Sequence, residues 1–235
     1  MYARVWKRAL DVILSSAALL ILSPVLLILT IVGMIIMGGN PFFTQVRPGK
    51  GEKLFRLVKF RSMSNKKDKD GNLLPDEKRL TKYGRFIRST SLDELPELWN
   101  ILKGDMSIVG PRPQLVRDMV FMTPEQRQRH SVRQGLTGLA QCNGRNAISW
   151  EKKLEYDIAY IQNITFWGDV RILLKTVAGV FRREGIAEDN MATAEDLGDH
   201  LLHRNEIDKA FYDAKQQEAE ILLRQFQNQE ALLGK

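Results

Sequence analysis

The longest apolar stretch of the chain lies near its N-terminus and is interrupted in the middle. No charged residue occurs between Asp11 and Arg47, and Ser23-Pro24 divides this run. The two halves, residues 12–22 and 25–37, would be about 17 and 20 Å long as helices, and both are shorter than the roughly 30 Å apolar core of a bilayer. Proline removes a helical hydrogen-bond donor and bends the axis, while the serine hydroxyl can satisfy a freed carbonyl. The pattern therefore predicts a helix, a break and a second helix.

Basic residues lie on both sides of the apolar run, and positive charge favours the cytoplasmic side of a membrane. They are Arg4, Lys7 and Arg8 before it, and Arg47, Lys50, Lys53, Arg56, Lys59 and Arg61 after it. A re-entrant hairpin with both ends on the cytoplasmic face satisfies both flanks. One alternative is a single transmembrane helix that tolerates the proline. A signal peptide is disfavoured, because the run is too long and no small-residue cleavage pattern follows.

After residue 40 the pattern changes to short strands and short amphipathic helices. The expected strands are residues 42–46 and 54–60 around a turn at 48–51, and residues 134–144 are expected to form a turn-rich loop. The expected helices are residues 79–87, 94–102, 124–132 (capped by Thr123), 150–161 and 169–181. The predicted fold class is α+β, mainly helical: an N-terminal re-entrant membrane helix-break-helix plus a compact cytoplasmic domain with short strands and interfacial amphipathic helices.

The last fifty residues have a different composition, acidic and rich in glutamine. Thr193 and Asp196 have the spacing of a capping box, and the apolar residues that follow recur at helical spacing. We expect amphipathic helices that fold over the domain or pair with a second copy, or else a partly disordered extension. Three parts result: the membrane hairpin at 1–40, a catalytic domain at 41–185 and a C-terminal extension at 186–235.

The net charge of +7 indicates anionic partners. Lipid head groups and phosphorylated substrates both qualify, whereas a membrane-inserted N-terminus argues against nucleic acid. The single cysteine, Cys142, excludes an internal disulfide and a cysteine metal cluster. The chain also lacks a nucleotide P-loop, a dinucleotide-binding glycine fingerprint and an HExxH motif.

The densest group of candidate chemical residues lies between positions 85 and 97. Ser91 and Glu94 have capping-box spacing, so Asp93 and Glu94 are expected at a helix N-terminus. Such a pair can simply complement the helix dipole. Arg85 and Arg88 precede the pair closely, and Asp105 and Arg112 follow it within 20 residues.

These neighbours allow three chemical interpretations of the pair. Arginines and a helix N-terminus hold phosphate, where a carboxylate can act as a covalent nucleophile. Asp93, Glu94 and Asp105 together could instead bind a divalent ion through oxygen ligands. Glycoside hydrolysis fits less well, because adjacent residues reach the required carboxyl separation only awkwardly.

Several stretches in the right order resemble the bacterial sugar transferases, specifically the small monotopic phosphoglycosyl transferases. They are residues 7–11, 23–24, 45–49, 59–63, 88–96, 104–113 and 135–141. Together they cover about residues 4–183, and the tail is not part of the resemblance. The resemblance implies transfer of a phospho-sugar from a UDP-sugar to undecaprenyl phosphate, with release of UMP. The enzyme would act on the cytoplasmic face of the bacterial inner membrane, in contact with its lipid.

The resemblance also implies roles for individual residues. Asp93 would be the nucleophile of a ping-pong reaction, and Glu94 would orient groups or handle protons. The family requires Mg²⁺, for which Asp93 and Glu94 are the candidate ligands. The remaining assignments are Lys59, Arg88 and Arg112 as phosphate contacts, Asp105, Pro111 and Asp169 as supporting residues, and Ser23 and Pro24 as the membrane break.

Two competing functions remain open at this point. A non-enzymatic, membrane-anchored basic module would explain the charge and the N-terminus, but it leaves Asp93 and Glu94 without a role. A hydrolase of polyprenol diphosphates would differ in its product. The C-terminal extension is a candidate site of homo-oligomerisation.

Overall fold

The structure is a computed structural model that describes residues 1–144, 148–182 and 195–234. The described chain is mainly helical with two small sheets, which agrees with the predicted α+β class. The helices are α1 (Lys7–Ile21), α2 (Ser23–Met37), α3 (Asp76–Arg79), α4 (Lys82–Ser89), α5 (Glu97–Lys103), α6 (Val116–Met119), α7 (Pro124–Arg127), α8 (Trp150–Gln162), α9 (Phe166–Arg182), α10 (Leu197–His203) and α11 (Lys209–Leu232). The strands are β1 (Phe42–Pro48), β2 (Leu54–Phe60), β3 (Met106–Val109) and β4 (Gln134–Thr137).

The first two helices meet at a bend of 63°. The break lies at Leu22, and Pro24 is the second residue of α2. The hydroxyl of Ser23 donates to the carbonyl of Leu20 at 2.7 Å, so it satisfies a backbone acceptor next to the break. Among the described residues, none of the helices is long and apolar enough to cross a bilayer alone, and only α1 and α2 taken together meet those two criteria.

The polar end of α1 is built into the rest of the molecule. Arg8 donates to the carbonyls of Ile101 and Leu102 in the last turn of α5, at 2.6 and 2.8 Å. Asp11 is 4% exposed, and its Oδ1 accepts from the Ser107 hydroxyl and from the backbone amide that follows it in β3. These bonds fix α1 against α5 and β3.

The two sheets differ in how their strands meet. β1 and β2 form an antiparallel pair around a turn, as the sequence predicts, and Phe42 is paired with Phe60. β3 and β4 are parallel. The assignment of residues 134–144 to a loop was therefore wrong for Gln134–Thr137. This four-residue strand contains Gly135, whose missing side chain leaves room for the backbone of Gly110: a Cβ there would lie 2.1 Å from the Gly110 nitrogen.

Two predicted helix starts differ from the structure. The helix expected at 79–87 is split into α3 and α4, and the Thr81 side chain caps α4 by accepting from the Gly84 amide at 2.9 Å. Ser91 makes no side-chain cap and has a φ of +55°, so the predicted capping box with Glu94 is wrong. Instead, residues 92–94 form a 3₁₀ turn ahead of α5.

The other predicted helices are present with small changes. Thr123 caps α7 as expected, but α7 ends at Arg127 and continues as a 3₁₀ turn over Gln128–Ser131. α8 and α9 match the two predicted amphipathic helices.

The helices α10 and α11 pack on the domain through an apolar cluster. Leu197 and Ala219 are buried against Val120 and Phe121 of the segment around α6, and the Tyr212 ring lies 5.6 Å from the Phe121 ring between centroids. The helical interpretation of the tail is thus confirmed from residue 197. Thr193, the first residue of the expected capping box, lies outside the described residues.

Candidate active site

Glu94 is the centre of a compact group of charges. Its Oε1 accepts from Lys59 Nζ at 2.7 Å and from Arg112 Nη2 at 2.8 Å. Lys59 comes from β2 and Arg112 from the segment after β3, so the fold brings together residues separated by 35 and 18 positions. Burial alone would raise the pKa of Glu94, but the Arg112 and Lys59 charges lower it below its usual range. Glu94 is therefore a permanent anion that holds two cations.

Asp93, the adjacent residue, differs from Glu94 in having no direct cationic partner within the described part of the chain. Among the described residues, no hydrogen bond or ion pair involves its carboxylate. Burial and the Glu94 charge raise the pKa of Asp93 to about 6, and the Lys59, Arg88 and Arg112 charges oppose this shift. At neutral pH most molecules thus carry a free Asp93 carboxylate close to three cations, which are the conditions a nucleophile at phosphorus requires.

A third acidic residue, Glu97, belongs to the same group and was not singled out from the sequence. It is 2% exposed, and its Oε1 lies 3.1 Å from Lys59 Nζ. Burial raises the pKa of Glu97 despite that lysine. The spacing of three residues from Glu94 was the available signal, because residues i and i+3 share a helical face. Lys59 therefore lies between two carboxylates.

Arg88 is held at the end of α4 by Ser62. Its Nε donates to the Ser62 hydroxyl at 2.8 Å, and Ser62 is buried. The close approach requires glycine on α4, since a Cβ at Gly84 would lie 1.9 Å from the Ser62 carbonyl oxygen. Arg85, the other arginine of this helix, is exposed. α4 thus fixes Arg88 near Asp93 and leaves Arg85 on the surface.

The backbone that carries Arg112 is held at three consecutive carbonyls. Residues 111–113 read Pro-Arg-Pro. In order, their carbonyls accept from the Gly135 amide at 2.8 Å, from Arg129 Nη2 at 2.5 Å and from Arg47 Nη1 at 3.1 Å. The predicted supporting residue Pro111 is the first of the three. The two prolines have no amide hydrogen and a fixed φ, so the backbone on both sides of Arg112 is conformationally restricted.

Asp105 contacts a different part of the fold from the charged group. Its Oδ2 accepts from the Asn100 side chain at 3.2 Å and lies 3.2 Å from Lys103 Nζ. Asn100 in turn bonds the backbone of β2, accepting from the Val58 amide at 3.0 Å and donating to the Arg56 carbonyl at 2.7 Å. Asp105 therefore helps to set α5 against the strand that carries Lys59.

Asp169 joins the N-terminus to the helices α8 and α9. It is 4% exposed. Its Oδ2 accepts from the Tyr2 hydroxyl at 2.7 Å and from Lys7 Nζ at 2.5 Å, and its Oδ1 accepts from the Tyr160 hydroxyl at 2.9 Å. Its described partners are structural, and none is Asp93 or Glu94.

The acidic residues present few ligands for a metal ion. In the part of the chain that the structure describes, no group of three or more His, Cys, Asp and Glu side chains is arranged to hold one. Of the two predicted ligands, Glu94 already binds two cations through Oε1, and Asp93 is free. Mg²⁺ in proteins is commonly held by one or two carboxylates together with substrate phosphates. Asp93 and Glu94 fit that arrangement only when a phosphorylated substrate supplies further oxygens.

An apolar groove of about 270 Å³ lies beside the bent helix pair. Its lining includes Leu19 of α1, Leu26 of α2, Phe60 of β2 and Trp99 of α5. Phe60 directly follows Lys59, and the groove also contacts Pro96, directly before Glu97. The groove thus connects the bent helix pair with the residues that flank the charged site.

Comparison with known proteins identifies the family. The model of the family described as Bacterial sugar transferase matches residues 2–183. The uncharacterised sugar transferase EpsL of Bacillus subtilis is 51% identical over 190 residues, which is 80% of this chain and 94% of EpsL.

Two longer relatives have names that state a reaction. The UDP-glucose:undecaprenyl-phosphate glucose-1-phosphate transferase of Klebsiella pneumoniae is 40% identical over 74% of this chain and 39% of its own length. The undecaprenyl-phosphate galactose phosphotransferase of Salmonella typhimurium is 37% identical over 78% of this chain and 42% of its own length. The chain thus spans about two fifths of these two relatives. The family match and the three relatives agree, and the chain belongs to the bacterial sugar transferase family.

Proposed function

We propose that the chain transfers a phospho-sugar from a UDP-sugar to a polyprenol phosphate and releases UMP. The observation that carries the proposal is the free Asp93 carboxylate beside Glu94, whose two bound cations can neutralise a diphosphate. The Klebsiella and Salmonella relatives are named for reactions of this class on undecaprenyl phosphate. The reaction is a membrane step of glycoconjugate assembly, with undecaprenyl phosphate as the natural acceptor.

In the first half-reaction Asp93 attacks the β-phosphorus of the UDP-sugar. A bond forms between its carboxylate oxygen and phosphorus, the bond from that phosphorus to the oxygen bridging to the α-phosphate breaks, and its electron pair leaves on UMP. Lys59, Arg88 and Arg112 stabilise the charge that develops on the phosphate oxygens. The product is an aspartyl phospho-sugar.

In the second half-reaction an oxygen of the polyprenol phosphate attacks the same phosphorus. The bond to Asp93 breaks, and the products are the polyprenyl diphospho-sugar and the free carboxylate. UMP has left before the acceptor phosphate binds, so one set of cations serves both steps. Glu94 keeps Lys59 and Arg112 in place throughout, since its Oε1 contacts both.

The bent helix pair supports a site at a membrane surface. Its exposed apolar residues include Leu20, Ile21, Leu27, Ile28, Ile31 and Ile35, and so many exposed large apolar side chains on one helix pair are unusual for a soluble monomer. The re-entrant arrangement would place both chain ends and the charged group on the cytoplasmic face of the inner membrane. The apolar groove lined by Phe60, the residue after Lys59, would then receive the first part of the acceptor's polyprenyl chain.

Magnesium fits this reaction as an ion shared between protein and substrate. When bound, Mg²⁺ would neutralise the diphosphate of the leaving group, with Asp93 and Glu94 as the carboxylates within reach. We expect excess EDTA to remove activity and Mg²⁺ or Mn²⁺ to restore it. Unchanged rates of UMP release in excess EDTA would contradict a metal requirement.

The decisive experiment is the substitution Asp93→Asn. Asparagine keeps the shape but has no anionic oxygen, so turnover should be abolished while the protein still folds. Intact-mass analysis after mixing with a UDP-sugar alone should show a phospho-sugar adduct on the wild type and none on the variant. The control is Asp68→Asn in an exposed turn, which retains a side-chain oxygen for the amides of residues 70 and 72.

The outcomes also separate the competing functions. Full activity in folded Asp93→Asn protein would refute the assignment of the nucleophile. Binding of lipid or UDP-sugar without any UMP release across a panel of UDP-sugars would favour a non-enzymatic module. Release of phosphate from polyprenol diphosphate would favour a hydrolase.

A further inference from the structure

Arg129 is a fully buried charged residue outside the group around Glu94. It lies in the 3₁₀ turn after α7 and is 0% exposed. Its Nε and Nη2 both donate to Oδ2 of Asp157 on α8, at 2.9 and 2.8 Å. Asp157 is itself 2% exposed. A buried arginine requires a partner of this kind, because an unpaired charge in the interior is strongly destabilising.

The same guanidinium makes two further contacts. Nη2 donates to the carbonyl of Arg112 at 2.5 Å, and Nη1 lies 3.3 Å from Nε2 of His130. Arginine can only donate, so His130 Nε2 is the acceptor and the neutral ring carries its hydrogen on Nδ1. Burial and the Arg129 charge lower the pKa of His130 to about 3, which keeps the ring neutral. These contacts hold the guanidinium from several sides.

The contact with the Arg112 carbonyl bears on the charged site because of the local backbone. Arg112 stands between two prolines, and a residue before proline has few accessible conformations. The position of its carbonyl and the direction of its side chain therefore change together. That side chain donates to Glu94 at 2.8 Å. A continuous series of contacts thus runs from Asp157 through Arg129 and Arg112 to Glu94.

We propose that Arg129, oriented by Asp157, is a positioning residue that fixes Arg112 for binding the diphosphate of the substrate. The proposal deepens the proposed transferase function and rests on it for the identity of that substrate. A purely structural role would give a less stable protein without a specific loss of diphosphate binding.

The test compares two arginines of the same segment. Lysine keeps the charge but lacks the planar fork that contacts a carboxylate and a carbonyl together. Arg129→Lys should therefore loosen Arg112, whereas Arg127→Lys is the matched control. Arg127 makes a two-bond contact with Glu52, at 2.6 and 2.5 Å, and forms no hydrogen bond or ion pair with the described residues 111–113.

The measurement is calorimetric binding of UDP to the full chain. We expect Arg129→Lys to weaken UDP binding by about tenfold, because misplacement of a positioning group by about 1 Å can cost up to about a hundredfold in function. Arg127→Lys should stay within about twofold, because the described side-chain hydrogen bonds of Arg127 go to Glu52 and not to the segment that carries Arg112. Equal losses in the two variants, or no loss in folded Arg129→Lys protein, would overturn the proposal.

A double-mutant cycle adds a result that a general loss of stability does not give. If Arg129 acts through Arg112, the two substitutions are not additive. Arg129→Lys should change UDP affinity by less than about twofold in an Arg112→Lys background. If the two substitutions instead reduce UDP affinity by independent factors that multiply in the double mutant, Arg129 does not act through Arg112.

If Arg129→Lys does not fold, Asp157→Asn tests the same contacts. Asparagine removes the charge that orients the guanidinium, so UDP binding should weaken in the same direction, and unchanged affinity would overturn the proposal. UDP binding can be measured without turnover. If the variants lose UDP affinity as expected but the wild type releases no UMP from UDP-sugars, the positioning role of Arg129 is supported and the proposed transferase function is refuted. Absence of UDP binding to the wild-type chain would overturn both.

Discussion

Asp93 and Glu94 are adjacent in the chain, yet their carboxylates have opposite electrostatic surroundings. Two direct cationic contacts keep Glu94 charged, whereas burial and the Glu94 charge raise the pKa of Asp93. Two carboxylates with separated pKa values have separate chemical roles. In the proposed reaction Glu94 organises the cations, and Asp93 is left free to react.

This difference predicts how activity depends on pH. Adduct formation with a UDP-sugar should decline as the pH falls through about 6, because protonated Asp93 cannot attack. The substitution Glu94→Gln removes a negative charge that raises the pKa of Asp93. In that variant the acidic limb of the pH–rate profile should therefore move to lower pH, even if the maximal rate is reduced. Intact-mass measurement of adduct formation between pH 4 and 8, with Asp68→Asn as the control, would check this prediction; an unchanged or upward-shifted limb would contradict it.

At the scale of single residues, the sequence could identify the charges that lie close together in the chain. The motif around Asp93 and Glu94, with Arg88 and Arg112, was visible there, and the structure places the predicted Lys59 against Glu94. Glu97 was missed although it lies three residues after Glu94, whereas Ser62 and Arg129 were missed because their contacts join positions 26 and 17 residues apart. The expected cap at Ser91 was wrong because left-handed backbone at that residue turns the chain into the 3₁₀ turn.

At the scale of elements, amphipathic spacing and proline positions predicted most helices and the helix break. The short parallel strands had no comparable signal in the sequence. The break at Ser23-Pro24, the hairpin of β1 and β2, and the helices α8 and α9 follow from local patterns. β4 is only four residues long, and its partner β3 is distant in the chain. A strand of that length shows no alternation that distinguishes it from a loop, so pairing with β3 could not be predicted.

The break between α1 and α2 yields a prediction about topology. Replacing Ser23 and Pro24 with leucine would join residues 7–37 into one apolar helix of about 46 Å, longer than the roughly 30 Å apolar core of a bilayer. Part of this variant should place one terminus on the far side of the membrane and lose activity. Single cysteines, Ala3→Cys and Lys50→Cys, in a Cys142→Ser background can be labelled on intact cells with an impermeant thiol reagent.

The control for this experiment is Ser16→Leu, which adds an apolar residue at an exposed position of α1 and leaves the break unchanged. Neither cysteine should be labelled from outside in the unmodified helix pair or in the control. External labelling at residue 3 with the break intact would refute the re-entrant interpretation and favour a simple transmembrane helix.

At the scale of the whole molecule, the C-terminal helices contribute to packing and not to the charged site. α10 and α11 bury Leu197 and Ala219 against the segment around α6, and Glu230 forms an ion pair with Arg56 of β2. The residues around Glu94 all precede residue 113. The sequence suggested the helices, but it did not show which surface they cover.

Deleting residues 190–235 should therefore leave measurable catalysis in a less stable protein. Exposing the cluster around Phe121 should lower the melting temperature by about 5 °C or more. Deleting only residues 231–235 is the control and should have little effect, because residues 231–234 are exposed. Thermal unfolding, light scattering for self-association and UMP release would be measured on both. Complete loss of chemistry in the folded longer deletion would show that the tail helps to build the site.

The way in which α1 is attached determines how the exposed apolar surface of the helix pair could be removed by engineering. Arg8 and Asp11 bond directly to α5 and β3, and α2 contributes Leu29 to a buried cluster beneath Tyr83. Removing the first forty residues would thus remove these contacts and leave part of the hydrophobic core exposed. It is better to substitute polar residues at exposed positions of α2, such as Leu27, Ile31 and Ile35, and to keep its buried face unchanged.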